Sequence, residues 1–435
     1  MRTQGIPASR RRRRPGAGAT TRPPILFYCQ HLLGVGHVQR GAVLARALAQ
    51  AGERVLFVAG GLPVPGLDLG GAEEVSLPPL SAADDAASGL ALPDGRPPDP
   101  AYLAARRAQA LALLPQYDPA VVLLELFPFG RHAFSFELVP LLLALADDRR
   151  RRGGGAPRVV VSLRDILVSK KNPPWFEAAV LAVVRQWIDR ILVHGSPDVI
   201  PLARTFGLAE RLADRMVYTG YLASPPPRVR VAPPAGEVVV SGGGGRVAGA
   251  LFRTALAARS LCPAAAALPW RLITGPYLPE EVRVDLERRS AGLGAVVLER
   301  FREDFPSLLR GAALSVSQAG YNTLLDLVVS RVRAVVVPYE GSGDEQLLRA
   351  RILAERGLVK VVPEGELSPP RLAEAMQEAL VTPGFPAPGR FDLKGASRSV
   401  EILQALVDEV VAARQGAGRT AHPRGRPQSG RRRYT

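Results

Sequence analysis

The chain has 435 residues, 47% hydrophobic and 22% charged, enough to build the cores of two domains of about 200 residues each. Its net charge of +16 suggests nucleic acid, yet residues 1–22 and 414–435 each carry seven arginines and no acid, so the tails hold nearly all of that surplus. The body is close to neutral, which argues against a DNA-binding core and against any sequence-specific nucleic-acid partner.

The first tail, 1–22, is rich in Gly, Pro and Arg and is expected to be disordered, as is the last, 413–435. Such arginine runs can touch an anionic membrane surface, although a solvated extension is the commoner reading. No apolar segment follows the first arginines, so a secretory signal is not indicated. No apolar run approaches the roughly 20 residues of a spanning helix. Cys29 and Cys262 have no partners at metal-ligand spacing, as in a reducing compartment. The expected location is the cytoplasm, with peripheral contact at the inner membrane face through the tails.

Ile25 to Cys29 is a short apolar run suited to a strand buried on both faces. A Gly-rich loop with Gly34, Gly36 and His37 follows, then a helix from Val38 to about Ala51 and a strand from Arg54 to Ala59. This is a βαβ unit and predicts a parallel sheet. The third glycine of a dinucleotide fingerprint falls on Gln39, and no acid closes the second strand, so a dehydrogenase is a poor reading. His37 is either a simple cap or a base or substrate contact at the strand's carboxyl edge.

Residues 60–100 read as an irregular insertion. A helix (Tyr102 to Leu114) and a strand (Ala120 to Leu124) follow, ending in Glu125 and a loop that reaches Arg131. Open parallel sheets bind ligands at this edge, so Glu125 is a candidate for chemistry; a salt bridge to Arg131 is the plain alternative. The strand Arg158 to Leu163 ends in Arg164 and Asp165 at the same edge, and Arg190 to Val193 leads into a short helix begun by Ser196-Pro197. The first domain is thus 23–222, and the Pro-rich stretch 223–236 is a linker.

The strand–turn–helix pattern then restarts for a second domain, 237–412. Glu237 to Ser241 is a strand followed by Gly242, Gly243, Gly244 and Gly245, which let a ligand approach the backbone and can form an anion nest. The strand Ala313 to Val316 runs into Gly320, Tyr321, Asn322 and Thr323 at a helix start, where free N–H groups and the dipole favour a phosphate. A second such unit, from Ala334, opens its helix at Glu345 and Gln346.

In these residues the chain resembles the GT-B glycosyltransferases, and among them the MurG-like, family 28 group. Carrying the resemblance are Gly34-Val35-Gly36-His37, Gly242 to Gly245, Phe301-Arg302, Ala319 to Asp326 and Glu345-Gln346 followed by Leu347 to Ala350. It implies an α/β fold of two Rossmann-like parallel-sheet domains facing across a cleft, with the acceptor on the first and a UDP-sugar donor on the second. By position, Phe301 would cover the base and the Arg302 backbone would read its edge. The glycines and the Gly320–Thr323 helix start would hold the diphosphate, Asp326 the ribose, and Glu345 with Gln346 the sugar hydroxyls. Asp326 stands where the family has glutamate, Glu345 where it has Gln or His, and Glu125 to Phe129 does not match the lipid II enzyme, so a different acceptor is expected. The implied reaction is inverting transfer of a hexosyl or N-acetylhexosaminyl group, with no cofactor or metal and the UDP-sugar as co-substrate. His37 and Glu125 are the candidate bases, with Asp165 third, and Gly34, Gly36, Arg131 and Arg164 form the acceptor side. A UDP-sugar 2-epimerase and a non-catalytic nucleotide-sugar binding protein fit the same pattern.

Overall fold

The computed structural model describes residues 22–32, 36–64, 66–84, 89–167, 173, 175–223, 236–302, 304–341, 343–381 and 391–420. Gly34, most of the Pro-rich linker and most of both tails lie outside the described residues.

The first domain is a sheet of seven strands: β1 (Ile25–Tyr28), β2 (Val55–Ala59), β3 (Glu73–Ser76), β6 (Val121–Glu125), β7 (Arg158–Arg164), β8 (Arg190–His194) and β9 (Met216–Tyr218). Between β3 and β6 lies a small antiparallel hairpin, β4 (Ser81–Ala82) with β5 (Leu90–Ala91). The strand order is β3-β2-β1-β6-β7-β8-β9, with every pairing parallel. Helices on both faces bury these strands, which is why β1 and β6 are unbroken apolar runs, apart from Glu125 at the end of β6. The stretch expected to be irregular thus supplies an edge strand. Its sequence, Glu-Glu-Val-Ser, is largely exposed and carries no hydrophobic signature. Ser196-Pro197 opens a turn, not a helix: both the Val199 and Ile200 N–H groups return to the Ser196 carbonyl.

The second domain repeats the plan with β10 (Val238–Ser241), β11 (Trp270–Ile273), β12 (Val296–Glu299), β13 (Leu314–Ser317), β14 (Ala334–Val336) and β15 (Lys360–Val361). Their order is β12-β11-β10-β13-β14-β15, again all parallel. In each sheet the order reverses beside the first strand, between β1 and β6 and between β10 and β13. A crevice opens at such a switch point beyond the carboxyl ends, and ligands bind there. The two switch points carry the loops singled out by sequence.

The final helix, Gly395–Thr420, falls in sequence with the second domain but packs on the first sheet, where Leu403, Val407 and Val410 share one apolar cluster with Ile25, Phe27, Val121 and Leu192. An amphipathic helix shows its period in sequence but not which sheet its stripe will cover. A smaller cluster joins the domains directly: Ile166, Val199, Ile200 and Tyr221 of the first against Tyr321, Leu325 and Ile352 of the second. Among the described residues no helix is long and apolar enough to cross a membrane.

Candidate active site in the interdomain cleft

At the first switch point, His37 sits in the first turn of the Gly36–Gln50 helix and Glu125 ends β6. The His37 Nδ1 lies 2.9 Å from Glu125 Oε1, with the imidazole 13% exposed and the carboxylate fully buried. Arg40, one turn along the same helix, also donates to Glu125 Oε1 and comes within 3.3 Å of His37 Nδ1. Nδ1 cannot both donate to the Glu125 carboxylate and accept from the Arg40 guanidinium. The carboxylate is the closer and stronger acceptor, so Nδ1 carries the proton and Nε2 keeps its lone pair.

The second Glu125 oxygen accepts from Ser162 Oγ at 2.7 Å, and Ser162 Oγ is 3.0 Å from His194 Nε2. His194 Nδ1 is 2.9 Å from Thr219 Oγ1, so a buried polar chain runs across the ends of β6, β7 and β8. Burial, with smaller contributions from Arg131, Arg164 and Arg40, holds His37 well below the ordinary histidine range. Burial and Arg40 do the same for His194. Both imidazoles are therefore neutral at pH 7, the state a base requires. Glu125 has no solvent-facing side-chain atom, and its two oxygens are taken by His37, Arg40 and Ser162.

At the second switch point the chain turns through Gly242–Gly245. A side-chain carbon on Gly242 would lie 2.4 Å from the Ala248 Cβ, and one on Gly245 would lie 2.3 Å from the Thr274 carbonyl oxygen. Those two glycines are required by packing, whereas Gly243 is exposed at the apex with nothing within 4 Å, open to a ligand. Opposite, Gly320 caps the Tyr321–Ser330 helix with no side-chain hydrogen bond, which leaves its first-turn N–H groups to meet an anion. Thr323 lies half-buried in that turn. Phe301 is 46% exposed, free to cover a planar base, and the Arg302 side chain is held off by Asp304 at 2.8 and 2.7 Å. Asp326 lies further along the helix, where burial raises its carboxyl to about 7. Gln346 Oε1 accepts from the Ala319 and Tyr339 N–H groups, both at 3.1 Å, joining two loop ends and leaving its amide nitrogen to donate.

The two halves meet through polar contacts. The Asn322 amide donates to the Gly36 carbonyl at 3.0 Å, and the Tyr321 hydroxyl donates to the His194 carbonyl at 2.9 Å. Arg40 and Arg349 each stand over the Tyr321 ring, 5.2 and 5.4 Å from its centroid. Arg349 binds Asp165 at 2.8 Å, and Arg164 binds Glu345 at 2.7 Å. Asp165 is fully buried in that pair, which ties the domains together. Glu345 is likewise held by Arg164 and Arg349, against the opposing effect of burial, in its charged form. Arg40, Ser162, His194 and Arg349 were not singled out from sequence. Only Arg40 left a local sign there, a cation three residues after His37 on one helix face.

Two all-parallel α/β domains whose switch-point loops face each other across a cleft define the GT-B fold. Residues 238–388 match the model of the glycosyltransferase family 28 C-terminal domain. The second domain thus matches that family's C-terminal domain, and the chain is similar to MurG-type glycosyltransferases. It is 25% identical over 389 residues, 87% of each chain, to a UDP-N-acetylglucosamine–N-acetylmuramyl-(pentapeptide) pyrophosphoryl-undecaprenol N-acetylglucosamine transferase of Albidiferax ferrireducens. It is 28% identical over 218 residues to the like-named transferase of Methylobacterium nodulans, covering 47% of this chain and 57% of that one. With 36% of an uncharacterized glycosyltransferase of Methanopyrus kandleri and 41% of a Rhizobium rhizogenes transferase covered, the chain spans about half or less of the length of these two and the Methylobacterium nodulans relative. The fold is similar to Acinetobacter baumannii MurG (TM-score 0.52, 16% identity, 88% of this chain and 100% of that one). It is equally similar to the calicheamicin glycosyltransferase CalG4 (TM-score 0.52, 20% identity, 93% and 100%).

Proposed function

We propose that this protein transfers a hexosyl or N-acetylhexosaminyl group from a UDP-sugar to a hydroxyl acceptor, with inversion and without a divalent metal. The observation that carries this reading is the neutral His37 held on buried Glu125 at one switch point, with the neighbouring Gly36 joined by Asn322 to the helix start at the other. His37 Nε2 takes the acceptor's hydroxyl proton as that oxygen attacks the anomeric carbon. The bond from that carbon to the diphosphate oxygen breaks, and its electron pair leaves with UDP. Backbone N–H groups at Gly243–Gly244 and the Tyr321 helix start stabilise the departing charge, the task a metal performs elsewhere. The transition state is oxocarbenium-like, and a single displacement inverts the anomeric centre. A UDP donor is further supported by the relatives, which are named as transferases using UDP-N-acetylglucosamine. The acceptor stays unidentified; a cytoplasmic site of action, with the arginine tails resting weakly on an anionic membrane face, accompanies the reading.

Slow turnover with water as acceptor gives a test that needs no acceptor. NMR of UDP-glucose or UDP-N-acetylglucosamine with the enzyme is expected to show UDP release and a β-configured sugar before mutarotation, at an unchanged rate in EDTA. An α-configured first product contradicts inversion, loss of turnover in EDTA contradicts metal independence, and an isomerised nucleotide sugar makes the protein an epimerase instead.

A further inference from the structure

Four arginines converge on the cleft around the His37–Glu125 pair, and three carboxylates answer them. Arg40 takes Glu125, Arg349 takes Asp165 and, at 3.1 Å, Glu345, and Arg164 takes Glu345. The Arg131 guanidinium has no hydrogen-bond or ion-pair partner among the described residues, so four positive charges stand against three negative ones. The Nε atoms of Arg40, Arg131 and Arg164 are all buried with no acceptor. The Arg131 backbone is held at φ 63°, a region that side-chain-bearing residues rarely adopt. Its charge helps depress both His31 and His37, after the larger effect of burial. Burial and the neighbouring Arg164 push the Arg131 guanidinium down to about 10, against the opposing charge of Glu125.

We propose that the acceptor carries a compact oxyanion, a phosphate or a carboxylate, beside the hydroxyl to be glycosylated, and that Arg131 with Arg164 receives it. This rests on the reading of the cleft as the acceptor site. A guanidinium offers a planar fork matched to either group, and Glu345 already seats a carboxylate on Arg164 from across the cleft. The bound anion neutralises the surplus charge and aligns the acceptor hydroxyl with His37 Nε2. Neither arginine belongs to the glycine loops: Arg131 lies in the loop after β6, and Arg164 is the last residue of β7.

Thermal unfolding tests this with inorganic phosphate and acetate as probes, at ionic strength held constant with chloride, both without UDP and with UDP saturating. With UDP present, the donor-side glycines are filled and only the acceptor side responds. One of the two anions is expected to raise the melting temperature of the wild type by roughly 2–4 °C, its identity telling phosphate from carboxylate. Arg131→Gln should abolish that rise, keep the shift caused by UDP, and melt no lower than wild type in chloride, because it removes a half-buried cation that no carboxylate pairs. Arg46→Gln, at a surface pair with Asp68, should leave the rise intact. No rise in the wild type, an undiminished rise in Arg131→Gln, or a lowered melting temperature of that variant in chloride would each overturn the proposal. Loss of the UDP shift in the wild type would instead sink the donor reading, with the UDP-free anion result standing by itself.

Discussion

His37→Ala is expected to lower kcat by about 10²- to 10⁴-fold while nucleotide binding stays unchanged, because the variant loses the group that takes the acceptor's proton and nothing on the donor side. The partial case is as informative. In Glu125→Gln an amide replaces the carboxylate that holds the Nδ1 proton, so the imidazole loses its fixed tautomer and Arg40 its charged partner. That change should fall mainly on kcat as well. The pH profile has a definite sign: because burial and three arginines hold His37 well below about 6.5, the acid limb of kcat/KM should lie below the ordinary histidine range. Activity is then flat across neutrality and falls only in more acid buffer. An unchanged kcat in His37→Ala would remove this residue from the chemistry.

The largest expected loss of stability lies away from the reacting groups. Arg106 and Glu137 are a fully buried ion pair at 3.0 Å between two helices, Pro100–Tyr117 and Ser135–Arg152. Arg106 also donates to the Gly60 carbonyl at 3.0 Å and to Gln30 Oε1 at 3.1 Å, and its guanidinium stands 5.3 Å from the Phe134 centroid. The Tyr28 hydroxyl donates to the same Glu137. Glu137→Ala strands a guanidinium and a hydroxyl inside the domain, at a cost of about 3–5 kcal/mol. Denaturant unfolding of the first domain should show the midpoint drop at an unchanged slope. Replacing both partners with apolar side chains, as in Arg106→Met with Glu137→Leu, should recover much of that loss, since the uncompensated charge and not the missing contact sets the penalty. A midpoint unmoved by Glu137→Ala would contradict this account. Because Gln30 and Gly60 border the loops after β1 and β2, the pair also holds the acceptor edge in place.

What could be read from sequence follows from the range over which each signal acts. The turn of Gly242–Gly245, the Gly320–Thr323 helix start and His37 after the first strand are local patterns, each complete within about ten residues. They land on the two switch points because parallel sheets put every such loop at one edge. The groups that complete the site act over long separations. Arg40 meets Glu125 across 85 residues of sequence and Arg349 meets Asp165 across 184, so neither pair leaves a local trace. Asp165 illustrates the consequence: a carboxylate at a strand's end has the address of a base, and only the partner arriving from the other domain reveals a structural tie. The last helix teaches the same about packing, since its apolar period is plain while its docking on the first sheet is not.

The most direct test of the central claim is thermal stabilisation by UDP, GDP, dTDP and ADP at pH 8, where Asp326, titrating near 7, is ionised and able to accept ribose hydroxyls. At about 100 times its dissociation constant, a ligand of the folded state adds roughly 2.7 kcal/mol. The account predicts a shift selective for UDP in the wild type that is lost in Asp326→Ala. A chain that responds to no nucleotide, or whose UDP shift survives that substitution unchanged, would contradict the placement of the donor and the transferase reading built on it.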